Sequence, residues 1–456
     1  MLAEHFGPYC WSVDPSIFRS YDVRGRTDTG QIDSATMRRI GEVFATHVGG
    51  MAVAVGRDVR PTSRELARGF IDGVTGAGAD VMDLGEVPTE VVTHVSGSTG
   101  VAGAMITASH NPPNYNGVKL TAPHAVPIAG DTGLAEIGRR VVGDWEAPPV
   151  VPGYVEPVGD VIDGYLDHLL SRHNPPPLRM VIDGGNGMVG MVIPQLVARS
   201  RLEVVPLYLE PDGTFPNHPA DPLNQENLAE LCDLVVESGV PLGAAFDGDA
   251  DRVFFVDDAG MVLDGSAATA ILAGYFLDAY PGSKVVHNPI VSDVVPRFVS
   301  DRGGVPLLSS VGHSNMKSVM RQSGAVFGGE HSGHFYFGEF YGADSGVMAL
   351  LTMAEIVGAA AAPLSSLRRE VPTRFSSGEV NYTVGDVTTI MDEMVNAFPD
   401  ADVDRTDGVT LRWADRRVNV RPSNTEPLLR VNVEADEEDT LNHVLAAMTS
   451  IIERAG

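Results

Sequence analysis

The feature that most constrains the fold is a repeated alternation of short apolar runs, rich in β-branched residues, with segments of helical periodicity. One unit runs from the strand pattern MAVAVGRD at 51–58 through a helix, which Thr62 or Ser63 is expected to cap, into a second strand pattern. Further strand patterns begin near residues 179, 202, 241 and 284. Because a helix connecting consecutive strands produces βαβ units, the alternation predicts several α/β domains with mixed sheets.

The pattern changes near the C-terminus. TLRWADRRVNVRPS and LLRVNVEAD read as strands joined by a short loop, and a helical segment follows them, which predicts an α+β unit. Pro- and Gly-rich joints lie at 145–154, 256–264 and 370–379. The first three units each offer a polar loop at a strand end and are candidates for distant internal repeats. The predicted domains are 1–150, 151–256, 257–371 and 372–456.

Charge and composition exclude several classes of protein. The 456 residues include 32 basic and 60 acidic side chains, a formal net charge of −28, which argues against nucleic-acid and anionic-membrane partners. Cys10 and Cys232 form neither a metal motif nor a disulfide framework, and the N-terminus lacks a secretory pattern, so we expect a cytoplasmic protein. The apolar stretch at 347–362 carries Glu355 and helical periodicity, which predicts a buried helix rather than a membrane span.

A serine-containing turn follows the apolar run VAGAMI. The turn is ITASHNPP, residues 106–113, in which Ser109 stands beside His110 and Asn111 and two prolines prevent regular structure from continuing. Ser, Asn and Pro are ordinary turn residues. By itself the turn therefore does not distinguish a nucleophile, a phosphate carrier and a structural serine.

Three carboxylates at alternate positions mark a second loop. Asp247, Asp249 and Asp251 lie between the apolar runs LGAAF and VFFV, with Gly248 expected to allow a tight bend. Burying three acidic side chains at this boundary is costly without compensation. Because carboxylate oxygens suit Mg²⁺, the pattern favours a metal site over an acidic surface turn.

Two further loops carry groups suited to a sugar phosphate. GGEHSGH at 328–334 combines glycines with Glu, Ser and His side chains that can bind sugar hydroxyls, although a loop with a helix cap fits equally well. VRPSNTEP at 420–427, with Arg430 three residues on, offers guanidinium, hydroxyl and turn N–H groups for a phosphate. This cluster supplies the local positive pocket that an anionic substrate would need on so acidic a chain.

In this order and at these separations, ITASHNPP, NGVKL, DGDADR, GEHSGH and RPSNTEP resemble the motifs of the α-D-phosphohexomutase family, most nearly its phosphomannomutase/phosphoglucomutase branch. FRSYDVRGR at 18–26 and VGRDVRPTS at 55–63 are similar to its N-terminal elements, so the resemblance covers essentially the whole chain. It implies three related α/β domains with mixed sheets plus a C-terminal TBP-like α+β domain, arranged around a central cleft.

The resemblance also implies roles for individual residues. Ser109 would carry the phosphoryl group, Lys119 would act as general acid/base, and Glu330 with Ser332 would hold the sugar 3- and 4-hydroxyls. The implied catalytic residues are Ser109, His110, Lys119, Arg24 and Arg252, with Asn111 in the same loop. One Mg²⁺ would be bound by Asp247, Asp249, Asp251 and the phosphate on Ser109. The implied substrate-binding residues are His313, Glu330, Ser332, His334, Arg421, Ser423, Asn424, Thr425 and Arg430.

The implied activity is interconversion of hexose 6-phosphate and hexose 1-phosphate, of mannose, glucose or both, through a phosphoserine and a 1,6-bisphosphate intermediate. The expected partners are the hexose phosphates and the bisphosphate, and the chain is expected to be a monomer or homodimer. A phosphoserine adds a charge of about −1.5 to −2, which three carboxylates would repel unless a cation is bound. The last domain is expected to move as a lid.

Three alternatives remain at the level of sequence. Phosphoglucosamine mutases typically have Gln where this chain has His331 and Gly where it has Asn424. An aspartate-nucleophile phosphatase would explain DGDADR but neither ITASHNPP nor RPSNTEP, and its motif continues with Thr or Val rather than Ala250-Asp251. An inactive sugar-phosphate binding protein is disfavoured because the motif residues needed for turnover are present.

Overall fold

The computed structural model describes residues 13–422 and 428–455, which fall into two compact units. The first unit extends to Tyr165 and includes Asp212–Pro216, and the second comprises Leu166–Pro211 and the chain from Asn217 onward. The predicted site residues Ser423, Asn424 and Thr425 lie outside the described residues.

The first unit is built on one mixed sheet of seven strands. Their order is β1-β5-β4-β2-β3-β7, with β6 paired to β5. Strands β3, β2, β4 and β7 are joined by parallel pairing, whereas β5 runs antiparallel to its neighbours. The strands are β1 (Val23–Arg26), β2 (Val53–Arg57), β3 (Val81–Glu86), β4 (Ala102–Ile106), β5 (Tyr115–Ala122), β6 (Val126–Pro127) and β7 (Val155–Pro157). The helices are α1 (Ser34–His47), α2 (Ser63–Gly76), α3 (Thr89–Thr99) and α4 (Ala135–Val142).

The second unit contains three sheets. A four-stranded sheet has the order β11-β10-β8-β9, and a five-stranded mixed sheet has the order β13-β12-β14-β15-β16. The third is an antiparallel sheet with the order β17-β21-β20-β19-β18. The strands are β8 (Leu178–Asp183), β9 (Leu202–Leu207), β10 (Leu242–Phe246), β11 (Val253–Asp257), β12 (Lys284–His287), β13 (Val305–Leu308), β14 (Phe327–Gly329), β15 (Phe335–Phe337), β16 (Ala343–Asp344), β17 (Phe375–Thr383), β18 (Asp402–Asp404), β19 (Val409–Arg412), β20 (Arg416–Pro422) and β21 (Leu428–Ala435).

The helices of the second unit cover these sheets. One helix, α5, begins in the first unit and ends in the second. The helices are α5 (Val161–Leu170), α6 (Ile193–Ala198), α7 (Ala229–Ser238), α8 (Gly265–Ala279), α9 (Val294–Asp301), α10 (His313–Ser323), α11 (Gly346–Ala360), α12 (Leu364–Arg368), α13 (Val387–Ala397) and α14 (Glu438–Ala455). The prediction of mixed α/β sheets followed by an antiparallel α+β unit is therefore confirmed.

The apolar stretch near 347–362 forms the buried helix α11, as predicted. Ser345 caps the helix by accepting a hydrogen bond from the Met348 backbone N–H at 3.0 Å. Glu355 is compatible with this apolar helix because its carboxylate accepts from Tyr275 Oη at 2.7 Å and lies 3.1 Å from His173 Nδ1. Over the described ranges, the chain forms no helix with the length and apolarity required to cross a membrane.

Helix α2 shows how a predicted cap can be used differently. Thr62 occupies the N-cap position, as expected, but its side chain makes no capping hydrogen bond. Instead its hydroxyl accepts from the Asn116 side-chain amide at 2.9 Å, while Ser63 donates to Asp58. The two hydroxyls therefore fasten α2 to the loop that follows β2 and to strand β5.

The predicted domain limits fall close to, but not always between, these elements. The limit at residue 150 precedes β7, which pairs with β3 of the first sheet, and the limit at 256 falls within β11. The limits themselves stay a prediction.

A mostly buried ion pair fixes the loop that follows β8. Asp183 Oδ2 lies 3.0 Å from His218 Nε2, and Asp183 Oδ1 accepts from the Gly185 backbone N–H at 2.8 Å. Asn217 donates to the side chain of Asn186 at 2.8 Å, which holds Asn186 in the left-handed region at φ 57°. The hydrogen bond to Asp183 raises the pKa of His218 above its usual value.

Helices α1 and α2 pack closely because a glycine at their contact, Gly73, carries no side chain. A Cβ atom at Gly73 would lie 1.9 Å from the Arg38 carbonyl oxygen and 2.8 Å from the Glu42 nitrogen, and a backbone obstacle cannot rotate away. We expect Gly73→Ala to lower the free energy of unfolding by about 1–3 kcal/mol through overpacking. Thermal denaturation of the purified protein measures this effect. Gly76→Ala, in the same helix with no atom within 4 Å of the added Cβ, is the matched control and is expected to be neutral or stabilising by up to ~1 kcal/mol. Equal losses in both variants would contradict the close-packing interpretation.

The His218–Asp183 pair should make stability depend on pH. Because the folded-state pKa of His218 is raised, the stabilisation is present below the unfolded-state pKa, near 6.5, and is lost as pH rises through the folded-state value. We expect His218→Gln to be less stable than the parent protein at pH 6 by up to about 1 kcal/mol, and to approach it at pH 9. Thermal midpoints across this range measure the effect, with His443→Gln, an exposed histidine of α14, as control. A pH-independent deficit in His218→Gln would contradict the assignment.

Candidate active site

Strand β4 delivers Ser109 to a constrained turn in the first unit. The strand is buried along its length, and Ser109, two residues beyond Thr107, is itself buried. Ser109 adopts φ 51°, in the left-handed region, and its backbone N–H donates to Thr107 Oγ1 at 2.9 Å. Its hydroxyl oxygen lies 3.2 Å from His110 Nδ1. The turn predicted for ITASHNPP is therefore present, and its backbone is held in a conformation that non-glycine residues seldom adopt.

A buried arginine that the sequence analysis did not single out holds this turn. Arg60 donates to the backbone carbonyls of Ser109 at 2.6 Å, Asn111 at 2.7 Å and Pro112 at 2.7 Å. Its Nε donates to Asp58 at 3.0 Å, and the Arg60 side chain is fully buried. Burial raises the pKa of Asp58, an effect that the neighbouring Arg60 guanidinium opposes. One guanidinium thus supplies donors to three carbonyls of a tight turn, of which the Pro112 carbonyl also accepts from the Tyr115 backbone N–H at 3.0 Å.

Arg24 and Lys119 lie on the strands beside the same turn. Arg24, on β1, donates to the Asn111 side-chain oxygen and pairs with Asp22, so its predicted association with the serine loop is reproduced. Lys119 lies on β5 opposite Met105 of β4, and is half-buried. The structure therefore gathers Ser109, His110, Arg24 and Lys119 at one end of this sheet.

The second unit carries the three aspartates on the β10–β11 hairpin. Asp247 and Asp249 are fully buried and Asp251 is 3% exposed. One carboxylate oxygen from each lies within 4.8 Å of the others, the spacing that a single cation requires. Asp247 also accepts from the Arg252 backbone N–H at 3.1 Å and from its guanidinium at 2.9–3.0 Å. The residues present fit a divalent cation, with Arg252 offsetting part of the negative charge.

The tight bend predicted at Gly248 is present, because the Ala250 backbone N–H donates to the Asp247 carbonyl at 3.1 Å across it. Ala250, rather than Gly248, adopts the left-handed conformation, at φ 70°. The loop after β8 approaches this bend closely, because the Gly248 carbonyl accepts from the Met188 backbone N–H at 2.9 Å and a Cβ on Gly187 would lie within 3.0 Å of Gly248. The loop after β8, fastened by His218, therefore supports the aspartate loop.

The aspartate loop is joined to the sugar loop predicted at 328–334. The Val253 backbone N–H donates to the Gly333 carbonyl at 3.1 Å, and Arg252 forms an antiparallel bridge with His334. His334 Nε2 lies 3.7 Å from Asp251 Oδ1, and its ring stacks on His313 with centroids 6.2 Å apart. The two predicted motifs are therefore one connected structure.

Glu330 is a buried carboxylate surrounded by donors. Tyr336 donates to its Oε1, and the Asn288 amide donates to its Oε2 at 2.7 Å. Burial raises the pKa of Glu330, and these two hydrogen bonds oppose that rise by favouring the ionised form. In the same loop, the Ser332 hydroxyl lies 3.0 Å from His334 Nδ1. Glu330 and Ser332 both face a cavity of about 570 Å³.

The same cavity is lined by the arginines predicted to hold a phosphate. Arg421 on β20 pairs directly with Arg430 on β21, so the two guanidiniums project from adjacent strands. Glu379 on β17 lies between them, with its Oε2 2.9 Å from Arg421 and its Oε1 3.1 Å from Arg430. Sugar-type and phosphate-type groups therefore share one cavity within the second unit.

Several supporting residues were missed by sequence reasoning. Arg60 lies in VGRDVRPTS, a segment that resembles the family's N-terminal elements without indicating a role for this arginine. Glu379 lies at the end of a segment that the sequence predicts to be a domain joint. No sequence pattern near Asn288 or Tyr336 indicates a functional role. Each side chain donates to Glu330, which is distant along the chain from Asn288 and lies on a different segment from Tyr336. A buried ion pair between Lys317 and Asp344, at 2.6 Å, also lies near the sugar loop and was not anticipated.

Comparison with known proteins identifies the family. Four phosphoglucomutase/phosphomannomutase domain models match in order: the alpha/beta/alpha domain I at residues 15–142, domain II at 163–260, domain III at 264–375 and the C-terminal domain at 379–451. Together they span most of the chain.

Individual relatives agree with this match. A phosphomannomutase from Salmonella montevideo is 38% identical over 434 residues, covering 92% of this chain and 94% of that protein. A Xanthomonas campestris phosphohexose mutase is 39% identical over 427 residues, covering 91% and 94%. A crystal structure of a Burkholderia thailandensis phosphoglucomutase/phosphomannomutase family protein has a TM-score of 0.90 at 31% identity, covering 97% of this chain and 98% of that one. The chain therefore belongs to the phosphoglucomutase/phosphomannomutase family of phosphotransferases and is a hexose-phosphate mutase.

Proposed function

We propose that this mutase interconverts hexose 6-phosphate and hexose 1-phosphate through a phosphoserine at Ser109 and a hexose 1,6-bisphosphate intermediate. The observation that carries the proposal is the shared cavity in the second unit. It combines Glu330 and Ser332, which suit sugar hydroxyls, with Arg421 and Arg430, which suit a phosphate. A hexose phosphate has both kinds of group on one molecule.

The sugar is held by its hydroxyls and by its non-reacting phosphate. The ionised Glu330 accepts hydrogen bonds from two sugar hydroxyls, and Ser332 donates or accepts beside it. Arg421 and Arg430 bind the phosphate that does not react, with Ser423, Asn424 and Thr425 as further predicted ligands. His313 and His334 stack on each other beside Ser332. Neither lines the cavity, so their role in the sugar site stays a prediction from the family resemblance. Holding both ends positions the remaining hydroxyl for phosphoryl transfer.

The reaction uses Ser109 as a carrier in two transfers. In the first, the free hydroxyl of the sugar attacks the phosphorus on Ser109, the bond from phosphorus to the serine oxygen breaks, and a bisphosphate forms. Lys119 is the proposed acceptor of the hydroxyl proton. In the second transfer, after the sugar has exchanged its two ends, the serine oxygen attacks the other phosphate and the isomer is released. In the first transfer the sugar hydroxyl loses a proton and the departing serine oxygen gains one. In the second the serine hydroxyl loses a proton and the sugar oxygen that gives up its phosphate gains one, so phosphoryl groups and protons balance over the cycle.

Charge stabilisation requires a cation at the aspartate loop. Asp247, Asp249 and Asp251 would hold one Mg²⁺, and the role of the Ser109 phosphate as a further ligand stays a prediction from the family resemblance. When bound, the ion neutralises negative charge that develops on the transferring phosphoryl group. Arg252 keeps Asp247 in place by three contacts and reduces repulsion within the cluster.

The names of the relatives favour mannose phosphates among the substrates, and glucose phosphates are proposed as an alternative. Comparing kcat/KM for mannose, glucose and glucosamine phosphates ranks them, and a dominant value for glucosamine 6-phosphate would assign phosphoglucosamine mutase instead. Cytoplasmic location and a monomeric or homodimeric state stay predictions.

The phosphoserine is tested by replacing Ser109. We expect Ser109→Ala to lose both protein-bound phosphate and mutase activity, with kcat falling by a factor on the order of 10⁴, because the carrier oxygen is absent. Intact mass, peptide mapping and a coupled mutase assay measure these effects. Ser98→Ala, which removes an exposed serine from α3 of the same unit, is the control. Phosphate retained in Ser109→Ala, or undiminished turnover, would contradict the carrier role.

The donor set around Glu330 makes a prediction about pH. Removing the Tyr336 hydroxyl in Tyr336→Phe takes away a hydrogen bond that favours the ionised carboxylate, so the pKa of Glu330 rises further. We expect the acidic limb of kcat/KM to move to higher pH. The matched control is Tyr280→Phe, because the Tyr280 hydroxyl donates to the exposed carboxylate of Glu339. An unshifted acidic limb with reduced activity at all pH values would indicate that Tyr336 only supports packing.

A further inference from the structure

Glu379 occupies the position between the two proposed phosphate-binding arginines. Each of its carboxylate oxygens contacts a different guanidinium, at 2.9 Å for Arg421 and 3.1 Å for Arg430. A carboxylate and a phosphate offer guanidiniums the same kind of charged oxygen acceptor. Glu379 therefore pairs with the same two guanidinium groups that a bound phosphate would use.

The backbone of β17 explains how Glu379 reaches this position. The pairing of β17 with β21 changes register between Ser376 and Glu379, and Gly378 adopts φ 63° within that irregularity. Bulges of this kind re-aim the side chains that follow them. Because β17 is an edge strand, Glu379 keeps solvent on one side, and its side chain is 30% exposed.

The two arginine partners are less exposed than Glu379, and the Arg430 side chain is 23% exposed. The Arg421 side chain is only 6% exposed and projects from β20, which lies inside the sheet. By contrast, the nearby pair of Arg417 with Glu434 is buried on both sides, and Glu434 is also bound by Ser292 at 3.2 Å. The Glu379 carboxylate is therefore displaceable in a way that the Glu434 carboxylate is not.

We propose that Glu379 is an internal competitor for the phosphate site, which sets how tightly the non-reacting phosphate is held. Two guanidiniums and one carboxylate carry a net charge of +1, whereas the arginines alone would carry +2. The carboxylate holds the arginines in place when the site is empty, weakens the grip on a phosphate dianion and returns when the phosphate leaves.

This inference rests on the proposed function, in which the bisphosphate must exchange its two phosphates in every turnover. A cradle that binds a dianion too tightly would retain the intermediate and slow that exchange. A resident carboxylate lowers the affinity of both the starting and the exchanged phosphate. Glu379 is on this account a positioning and affinity-setting residue, not a catalytic one.

The test is the isosteric, uncharged variant Glu379→Gln in the full-length enzyme. We expect inorganic phosphate to inhibit it at about three- to tenfold lower concentration than the parent enzyme, because one nearby negative charge has been removed. The KM for hexose phosphate is expected to fall together with kcat, since both the substrate and the intermediate are held longer. Initial-rate kinetics with phosphate as competing ligand measure all three constants.

Two further variants make the outcome unambiguous. Glu379→Asp keeps the charge on a shorter side chain, so we expect a smaller change in phosphate inhibition in the same direction. This variant provides the test if Glu379→Gln fails to fold. Asp392→Asn removes an equivalent charge from an exposed pair with Arg405, 3.0 Å apart in the same part of the chain, and is expected to leave phosphate inhibition unchanged.

The results separate this inference from the proposed function. Weaker phosphate inhibition and a higher KM in Glu379→Gln would overturn the inference, because Glu379 would then only orient the arginines. Unchanged constants would overturn it as well. If the parent enzyme failed to convert any hexose phosphate, the proposed function itself would fall.

Discussion

The Asp247–Arg252 ion pair is the interaction on which the rest of the second unit's site depends. It is buried on both sides, and losing one partner of such a pair typically costs about 3–5 kcal/mol. By absorbing one of three clustered carboxylate charges, Arg252 allows Asp249 and Asp251 to lie within reach of a single cation. The strand that begins at the next residue, Val253, is bonded to the sugar loop. A disturbance of this pair would therefore reach both loops.

The first unit solves an equivalent problem with the same type of side chain. A turn that holds Ser109 in a left-handed conformation exposes carbonyl groups that no neighbouring strand can satisfy, and Arg60 supplies their donors from a buried position. Asp58 in turn pairs with Arg60. In both units, a guanidinium fixed in the interior stabilises a loop that contains a left-handed residue.

The elements that could be predicted from the sequence are those whose signal is local. The strands leading to Ser109, Asp247 and Glu330 are short apolar runs, and the loops after them have distinctive composition, so their existence and chemistry were readable. Arg60 and Glu379 were not, because the turn that Arg60 holds and the arginines that Glu379 contacts lie 42 to 55 positions away along the chain, a distance over which periodicity carries no information. The tight bend predicted at Gly248 is present, because the Ala250 backbone N–H bonds to the Asp247 carbonyl across it, although the left-handed residue is Ala250.

The acidic character of the chain bears directly on how the cavity works. Charge on the outer surface is screened over about 8 Å at physiological ionic strength, so the net charge of −28 acts mainly during approach of a substrate. Affinity is decided inside, where guanidiniums already face carboxylates: Arg421 and Arg430 share Glu379, and Arg417 meets Glu434. In the proposed cycle the substrate's phosphate replaces the Glu379 carboxylate at the two arginines, so one anion is exchanged for another and the phosphate can be bound, released and bound again within one turnover.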